Sequence, residues 1–366
     1  MGSMIKPRTK RLINLACILI PLTIVLVMGI TDKNLPEASQ AVRSMNAKWV
    51  VFALGCYFGY LVMDSLAIGF YLSRQGYRLG IRELLFISLI GQYYSNITPG
   101  ASGGQPMQIY YLSKKKVPAA LATSAIAVRF FCFQVMLSVI GTVVWIRYGG
   151  FIAEHTGSAR WVFIVGYVYN TVMVCAVAVL ALSKNILQRL MNLGIRIGGK
   201  FKWIRHPEEL ERRAEHYVTT FHEGLTYFRS HPMDMAVQLL FGGIQLMFLM
   251  SVIAMIYYGL GLSGYRYEHL VTMNICEFLA AAYAPMPGAS GAQEGVFGIF
   301  FAKIFPESMI FVAILLWRFF TYYISIVLGL VVNTVHGVRE GNSLREAAKS
   351  SGEMLNQVME DQKNKQ

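Results

Sequence analysis

Pro99-Gly100-Ala101-Ser102-Gly103 recurs later in the chain as Pro287-Gly288-Ala289-Ser290-Gly291. Each copy follows an apolar run spotted with polar residues and precedes a shorter one. A lone arginine then sits inside an apolar segment, Arg129 thirty residues after Pro99 and Arg318 thirty-one after Pro287. Gly/Pro interruptions at corresponding places of two halves point to a binding site near the bilayer midplane of a transporter. The pattern reads as two broken hairpins facing each other around an anionic group.

Composition agrees with a membrane setting. Hydrophobic residues make up 55% of the chain and charged residues 14%, which is far from an ordinary soluble protein. The runs 12–30, 49–72, 118–146, 161–183, 235–262 and 308–335 are each long enough to cross a hydrocarbon core of about 30 Å. A formal net charge of +13 would point to nucleic acid in a soluble chain. Here the basic residues lie between apolar spans, where the positive-inside rule accounts for them, so no nucleic-acid partner is expected. Cys17, Cys56, Cys132, Cys175 and Cys276 all fall in apolar segments without zinc or redox spacing, and read as small buried hydrophobes. No Walker-type loop, nucleophile elbow or metal-ligand pattern is present. No cofactor or metal is expected. The first apolar run lacks a small-residue cleavage site and reads as an uncleaved anchor.

Charge bias sets the topology. Arg8, Lys10 and Arg11 place residues 1–11 in the cytoplasm. Segment 84–112 is flanked by Arg74, Arg78 and Arg82 before it and Lys114-Lys115-Lys116 after it. A re-entrant hairpin with its tip at Pro99–Gly104 keeps both flanks inside; a single crossing would not. Such a tip must be buried in protein or line a cavity. From Lys184 to Arg205 six basic residues and no acidic one interleave with apolar residues, as in a helix lying on anionic headgroups. Residues 207–229 read as a second cytoplasmic helix within 184–234. Segment 268–304 is the second broken hairpin, and 339–366 a cytoplasmic tail. The expected fold is an all-α polytopic membrane protein with its membrane domain over 12–338. It has about six full transmembrane helices and two re-entrant broken-helix hairpins, with both termini inside. The units 49–146 and 235–335 then have opposite topology, an inverted repeat.

At each break, proline turns the preceding residue away from helix and glycine tolerates unusual dihedrals. Ser102 and Ser290 are candidate N-caps for the half-helices that follow. The positive ends of those half-helices favour an anion. The candidate binding groups are Ser102, Gly103, Gly104 and Gln105 at the first tip, and Ser290, Gly291, Gln293 and Glu294 at the second. A packing kink between closely approaching helices is the competing reading. Arg129 and Arg318 are costly inside a membrane and by default functional; their guanidinium groups suit a phosphate. Alternatively they pair structurally with Asp64, Glu277 or Glu294, and both roles can hold in different states of a cycle.

The runs Asn96 to Gln108, Pro285 to Gly295 and Leu316-Trp317-Arg318-Phe319-Phe320-Thr321-Tyr322-Tyr323 resemble the paired signatures of the lysylphosphatidylglycerol synthase membrane-region family. The likeness covers about 12–338. It implies the flippase half of a bifunctional enzyme that lysinylates phosphatidylglycerol and moves it to the outer leaflet, a half linked to resistance against cationic peptides. The soluble aminoacyl-transferase domain of bifunctional members has no counterpart in this sequence, so no enzyme activity is expected.

The function expected is a lipid flippase that moves an anionic or aminoacylated phospholipid, of the phosphatidylglycerol or lysyl-phosphatidylglycerol type, between leaflets of the cell membrane. Its partners would be the phospholipid headgroup and, through 184–205, the anionic membrane surface; homo-oligomerisation stays open. The alternative is a secondary transporter or channel for a small soluble anion. A membrane-embedded transferase or phosphatase would need a base beside Ser102 or Ser290, and no His or Lys is near either in sequence.

Overall fold

The computed structural model describes residues 42–182, 230–281 and 286–335, with isolated positions at 40, 188–189, 219, 222–223, 226–227 and 284. The expected first span (12–30), most of 184–234 and the tail 339–366 lie outside the described residues.

Among the described residues the chain is helical, without strands. In hydrocarbon each backbone N–H and C=O needs a partner within the protein, which leaves long apolar segments no alternative to helix. The helices are α1 (Ala47–Arg74), α2 (Ile81–Asn96), α3 (Gly104–Lys114), α4 (Ala119–Thr156), α5 (Arg160–Leu182), α6 (Pro232–Gly259), α7 (Tyr267–Ala281), α8 (Ala292–Phe301) and α9 (Glu307–Arg318). The last continues through a π-helical turn, Phe319–Tyr323, to residue 335. Among the described residues four stretches are long and apolar enough to cross a bilayer: Ala47–Arg74, Ala119–Val179, Pro232–Gly259 and Glu307–Val335. The second holds both α4 and α5. On α5, Val162, Val165, Val168 and Val172 are exposed while Phe163 is buried. An apolar surface of that extent belongs against lipid.

One boundary differs from expectation. The polar stretch after residue 146 continues α4 to Thr156 instead of forming a loop. Its polar groups are held locally: His155 bonds through its ring to the Phe151 carbonyl (2.9 Å) and the Tyr265 hydroxyl (3.1 Å), and Lys303 donates to the Glu154 carbonyl at 2.7 Å. Gly157, at φ +55°, then ends the helix.

Small residues let the helices close on one another. A Cβ on Gly59 of α1 would lie 2.8 Å from the Phe248 ring of α6, and one on Gly242 would meet the α4 backbone at Cys132–Phe133 at 3.0 Å. Gln238 of α6 donates to the Ala67 carbonyl of α1 at 2.9 Å. The main core collects Tyr57, Leu246 and Met250 with Phe297, Phe301 and Trp317.

Both expected interruptions of the helical chain are present. After α2, a single turn of 3-10 helix (Pro99–Ala101) leads into α3; after α7, Pro287–Ala289 leads into α8. Gly100 (φ 57°, ψ 27°) and Gly288 (φ 56°, ψ 21°) have the same left-handed conformation, and Ala101 (φ 54°) and Ala289 (φ 49°) share it. The repeated Gly-Ala is therefore a repeated backbone shape, and the copies part at the fifth residue, where Gly103 is at φ −85° and Gly291 at φ 86°. The two turns lie against each other, and beside them the Tyr322 hydroxyl, from the π-helical turn, donates to the Asn96 carbonyl at the end of α2 at 3.2 Å. At the open end of the first hairpin, Glu83 accepts from Lys115 at 2.6 Å and from the Gly80 N–H at 3.2 Å. The hydrogen bond from Lys115 holds its carboxyl below the ordinary value.

The two glycines differ in surroundings, which gives a test. A Cβ on Gly100 would meet nothing within 4 Å, whereas one on Gly288 would sit 2.1 Å from the Tyr322 ring. Gly100→Ala should cost about 1 kcal/mol through backbone strain; Gly288→Ala should cost about 2–4 kcal/mol, because the ring must also move. Thermal unfolding in detergent ranks the two, and equal losses would show that Tyr322 does not confine the second turn.

Candidate functional site

The turns meet at one cavity of about 400 Å³, lined by Gly100 and Ala101 from the first and by Gly288 and Ala289 from the second. Both intramembrane arginines reach it, as do Asp64, Gln105 and Gln293.

Arg318, at the last residue of α9, is 2% exposed. Its Nε donates to Glu294 Oε1 at 2.6 Å, and its Nη1 donates to Gln293 Oε1 at 2.6 Å and to the Gly288 carbonyl at 3.1 Å. The guanidinium also lies 5.3 Å from the Trp317 and Tyr322 ring centres, within cation–π range. Nη2 has no partner among the described residues. The π-helical turn begins immediately after this arginine; such turns are frequent at functional sites.

Arg129 of α4 is less deeply set. Its Nη1 pairs with Asp64 Oδ1 at 2.6 Å, and its Nη2 donates to Gln108 Oε1 at 3.2 Å. Asp64 also accepts from Gln245 Nε2 at 2.9 Å. Nε lacks a partner among the described residues. The arginine's side chain is 13% exposed against 3% for Arg318. Each guanidinium thus has one carboxylate, one glutamine and an unbonded N–H. Such pairing is what makes a charge tolerable at this depth.

Several sequence expectations meet a different arrangement. Ser102 does not cap α3: it is exposed, and its hydroxyl donates back to the Pro99 carbonyl at 2.9 Å. The cap group is Thr98, whose hydroxyl oxygen accepts from the Gly103 N–H at 2.8 Å. Thr98 precedes the proline in extended conformation, which points its side chain back over the turn. Ser290 is buried with its hydroxyl unpartnered among the described residues, and the Gly291 N–H instead donates to Glu294 Oε2 at 2.6 Å. Glu294 therefore supplies an anion to the N-terminus of its own helix, α8, and to Arg318 together. Gly104 lets α3 approach α2, since a Cβ there would fall 1.9 Å from Ser95 Oγ. Of the cavity's carboxylate candidates, Asp64 pairs with Arg129 and Glu294 with Arg318. Glu277 is fully buried, does not line the cavity, and has neither oxygen hydrogen-bonded among the described residues.

Sequence reasoning passed over Gln245, Gln92, Asn274 and Tyr60, all of which line the cavity. Tyr60 donates to Gln92 Oε1 at 3.0 Å. Their signal was present: a carboxamide within an otherwise apolar run, as at Gln245, is anomalous unless it meets a partner or a cavity.

The ion pair at the second turn should behave as a unit. Arg318→Ala leaves Glu294 buried and unpaired, and should cost about 3–5 kcal/mol. Arg318→Met with Glu294→Gln removes both charges and should recover most of that stability. A double-mutant cycle by chemical or thermal unfolding checks it; additive losses would show that the pair is not coupled.

The Lysylphosphatidylglycerol synthase TM region family matches residues 13–329 of the chain. A UPF0104 membrane protein of Archaeoglobus fulgidus is 21% identical over 268 residues, covering 70% of this chain and 76% of its own. The match to 13–329 takes in both turns, both arginines and their carboxylates, and the chain belongs to the Lysylphosphatidylglycerol synthase TM region family of membrane proteins.

Proposed function

We propose that the protein is a lipid flippase, which moves an anionic or aminoacylated phospholipid between leaflets by exposing one headgroup site to each side in turn. The observation that carries this is the convergence of two broken-helix turns and two arginines, Arg318 buried and Arg129 half-buried, on one cavity of about 400 Å³. Membership of a family linked to lipid handling supports it. A phosphate accepts bidentate hydrogen bonds from guanidinium, and each arginine retains an N–H without a protein partner among the described residues. Asp64 and Glu294 act as resident counter-ions, against which the phosphate competes for Arg129 and Arg318. The headgroup enters the cavity while the acyl chains stay in lipid. The protein works without covalent catalysis, in the cell membrane, with both termini cytoplasmic. On this reading the two interrupted segments are re-entrant from opposite leaflets.

Purified protein in phosphatidylcholine vesicles, with acyl-labelled fluorescent phosphatidylglycerol and dithionite added outside, tests this. Arg129→Gln with Asp64→Asn, and Arg318→Gln with Glu294→Gln, keep each half of the site balanced in charge. Each pair of substitutions should slow lipid movement by about tenfold or more, the loss of one charged hydrogen-bonded contact. Wild-type rates in both would sink the site. Release of entrapped phosphate without lipid movement would assign the cavity to a small soluble anion.

A further inference from the structure

Glu277 of α7 is fully buried, and neither of its oxygens is hydrogen-bonded among the described residues. The charged groups within its electrostatic reach are Arg318 of α9 and Glu294 of α8, the helix packed next to α7. Helices α4, α5 and α6 also pack on α7 and bring no charged group to it among the described residues. Arg318 gives Nε to Glu294 and Nη1 to Gln293 and the Gly288 carbonyl, while its buried Nη2 has no partner among the described residues. An unbonded guanidinium N–H and an unbonded carboxyl therefore share one dry neighbourhood with no hydrogen bond between them. Asn274, one turn before Glu277 on the same face of α7, lines the cavity, and its Oδ1 is likewise buried without a partner among the described residues.

Arg318 and Glu294 already balance each other in charge. An ionised Glu277 would add a buried negative charge with no counter-ion of its own, which such a site tolerates far less well than the neutral acid. The neutral acid fills the same space as a glutamine and differs from it in having a proton to lose. An ionisable side chain at this depth that serves as no counter-ion is by default functional, and proton relays are built from such groups.

Resting on the flippase reading and supplying its driving force, we infer that Glu277 binds a proton that crosses the membrane with the lipid. When Glu277 is ionised, its carboxylate competes for the free side of Arg318, and an incoming phosphate faces two carboxylates. Protonation removes that competitor and leaves Nη2 to the headgroup. The proton adds to a Glu277 oxygen from water on one side, and returns to water on the other side after the phosphate has left. One anion and one proton cross together, so the step carries no net charge. By linkage, proton and phosphate each raise the affinity for the other.

Two measurements test this. In phosphatidylcholine vesicles holding the purified protein and acyl-labelled phosphatidylglycerol, a gradient of about one pH unit should enrich the label up to about tenfold in the leaflet facing the alkaline side, read by dithionite. Glu277→Gln should abolish the enrichment, and Glu277→Asp, which restores a titratable carboxyl, should recover it. In detergent, glycerophosphoglycerol should raise the Tm of the wild type more in mildly acidic than in mildly alkaline buffer, and by the same amount in both for Glu277→Gln. The wild-type measurements decide the matter even where a variant fails to fold. Label that moves but distributes equally in the wild type under the gradient overturns the inference, as does a Tm rise that ignores pH in the wild type or still follows it in Glu277→Gln. If no lipid moves but the Tm rise is linked to the proton through Glu277, the flippase reading falls and the proton-linked phosphate site stands, with a soluble phosphate compound as its source.

Discussion

A guanidinium group at membrane depth needs a counter-charge and several acceptors, and meeting that need organises the centre of this molecule. Arg318 obtains them from Glu294, Gln293 and the Gly288 carbonyl. All three come from the second interruption, so neutralising the charge and fixing the left-handed turn are one event. The turn exposes a carbonyl that helix would have consumed, and the arginine satisfies it. Glu294 then completes the arrangement by accepting the first free N–H of α8, where the helix dipole also favours an anion.

The first half solves the same problem with different parts. Its turn has the same dihedrals, but a threonine hydroxyl, not a carboxylate, accepts the amide at the start of the half-helix. Its arginine finds a carboxylate on another helix: Asp64 belongs to α1, which packs along α6 and receives Gln245 from it. Arg318 of α9 is thus bound wholly by groups of the second hairpin, while Arg129 ties α4 to α1, α3 and, through Asp64, α6. The second pair is closed in and the first borders the cavity more openly.

The repeated pentapeptide was a reliable guide because it encodes backbone geometry. Proline before a glycine permits few outcomes in an apolar helix, and both copies put the glycine and alanine that follow in the same left-handed conformation. The intramembrane arginines were equally legible, since a charge within twenty apolar residues has few structural excuses. Cap residues were not: Ser102 has the right chemistry, but the extended conformation of Thr98 puts a different hydroxyl over the Gly103 amide. Partner choice was no better specified. Glu277 and Glu294 are both acids in apolar surroundings, and sequence spacing does not say which one meets Arg318.

The apolar spans among the described residues, the two interruptions and the setting of both arginines in apolar segments follow from the sequence alone. Hydropathy and the steric limits of proline and glycine act over a few residues and leave little choice. Which carboxylate faces which guanidinium, and that scattered carboxamides from α2, α3, α6 and α7 share one wall, came only from the packed structure. Those contacts join residues as far apart as Asp64 and Gln245, and their pairing is set by how small residues let helices approach, a property of surfaces that no single segment contains.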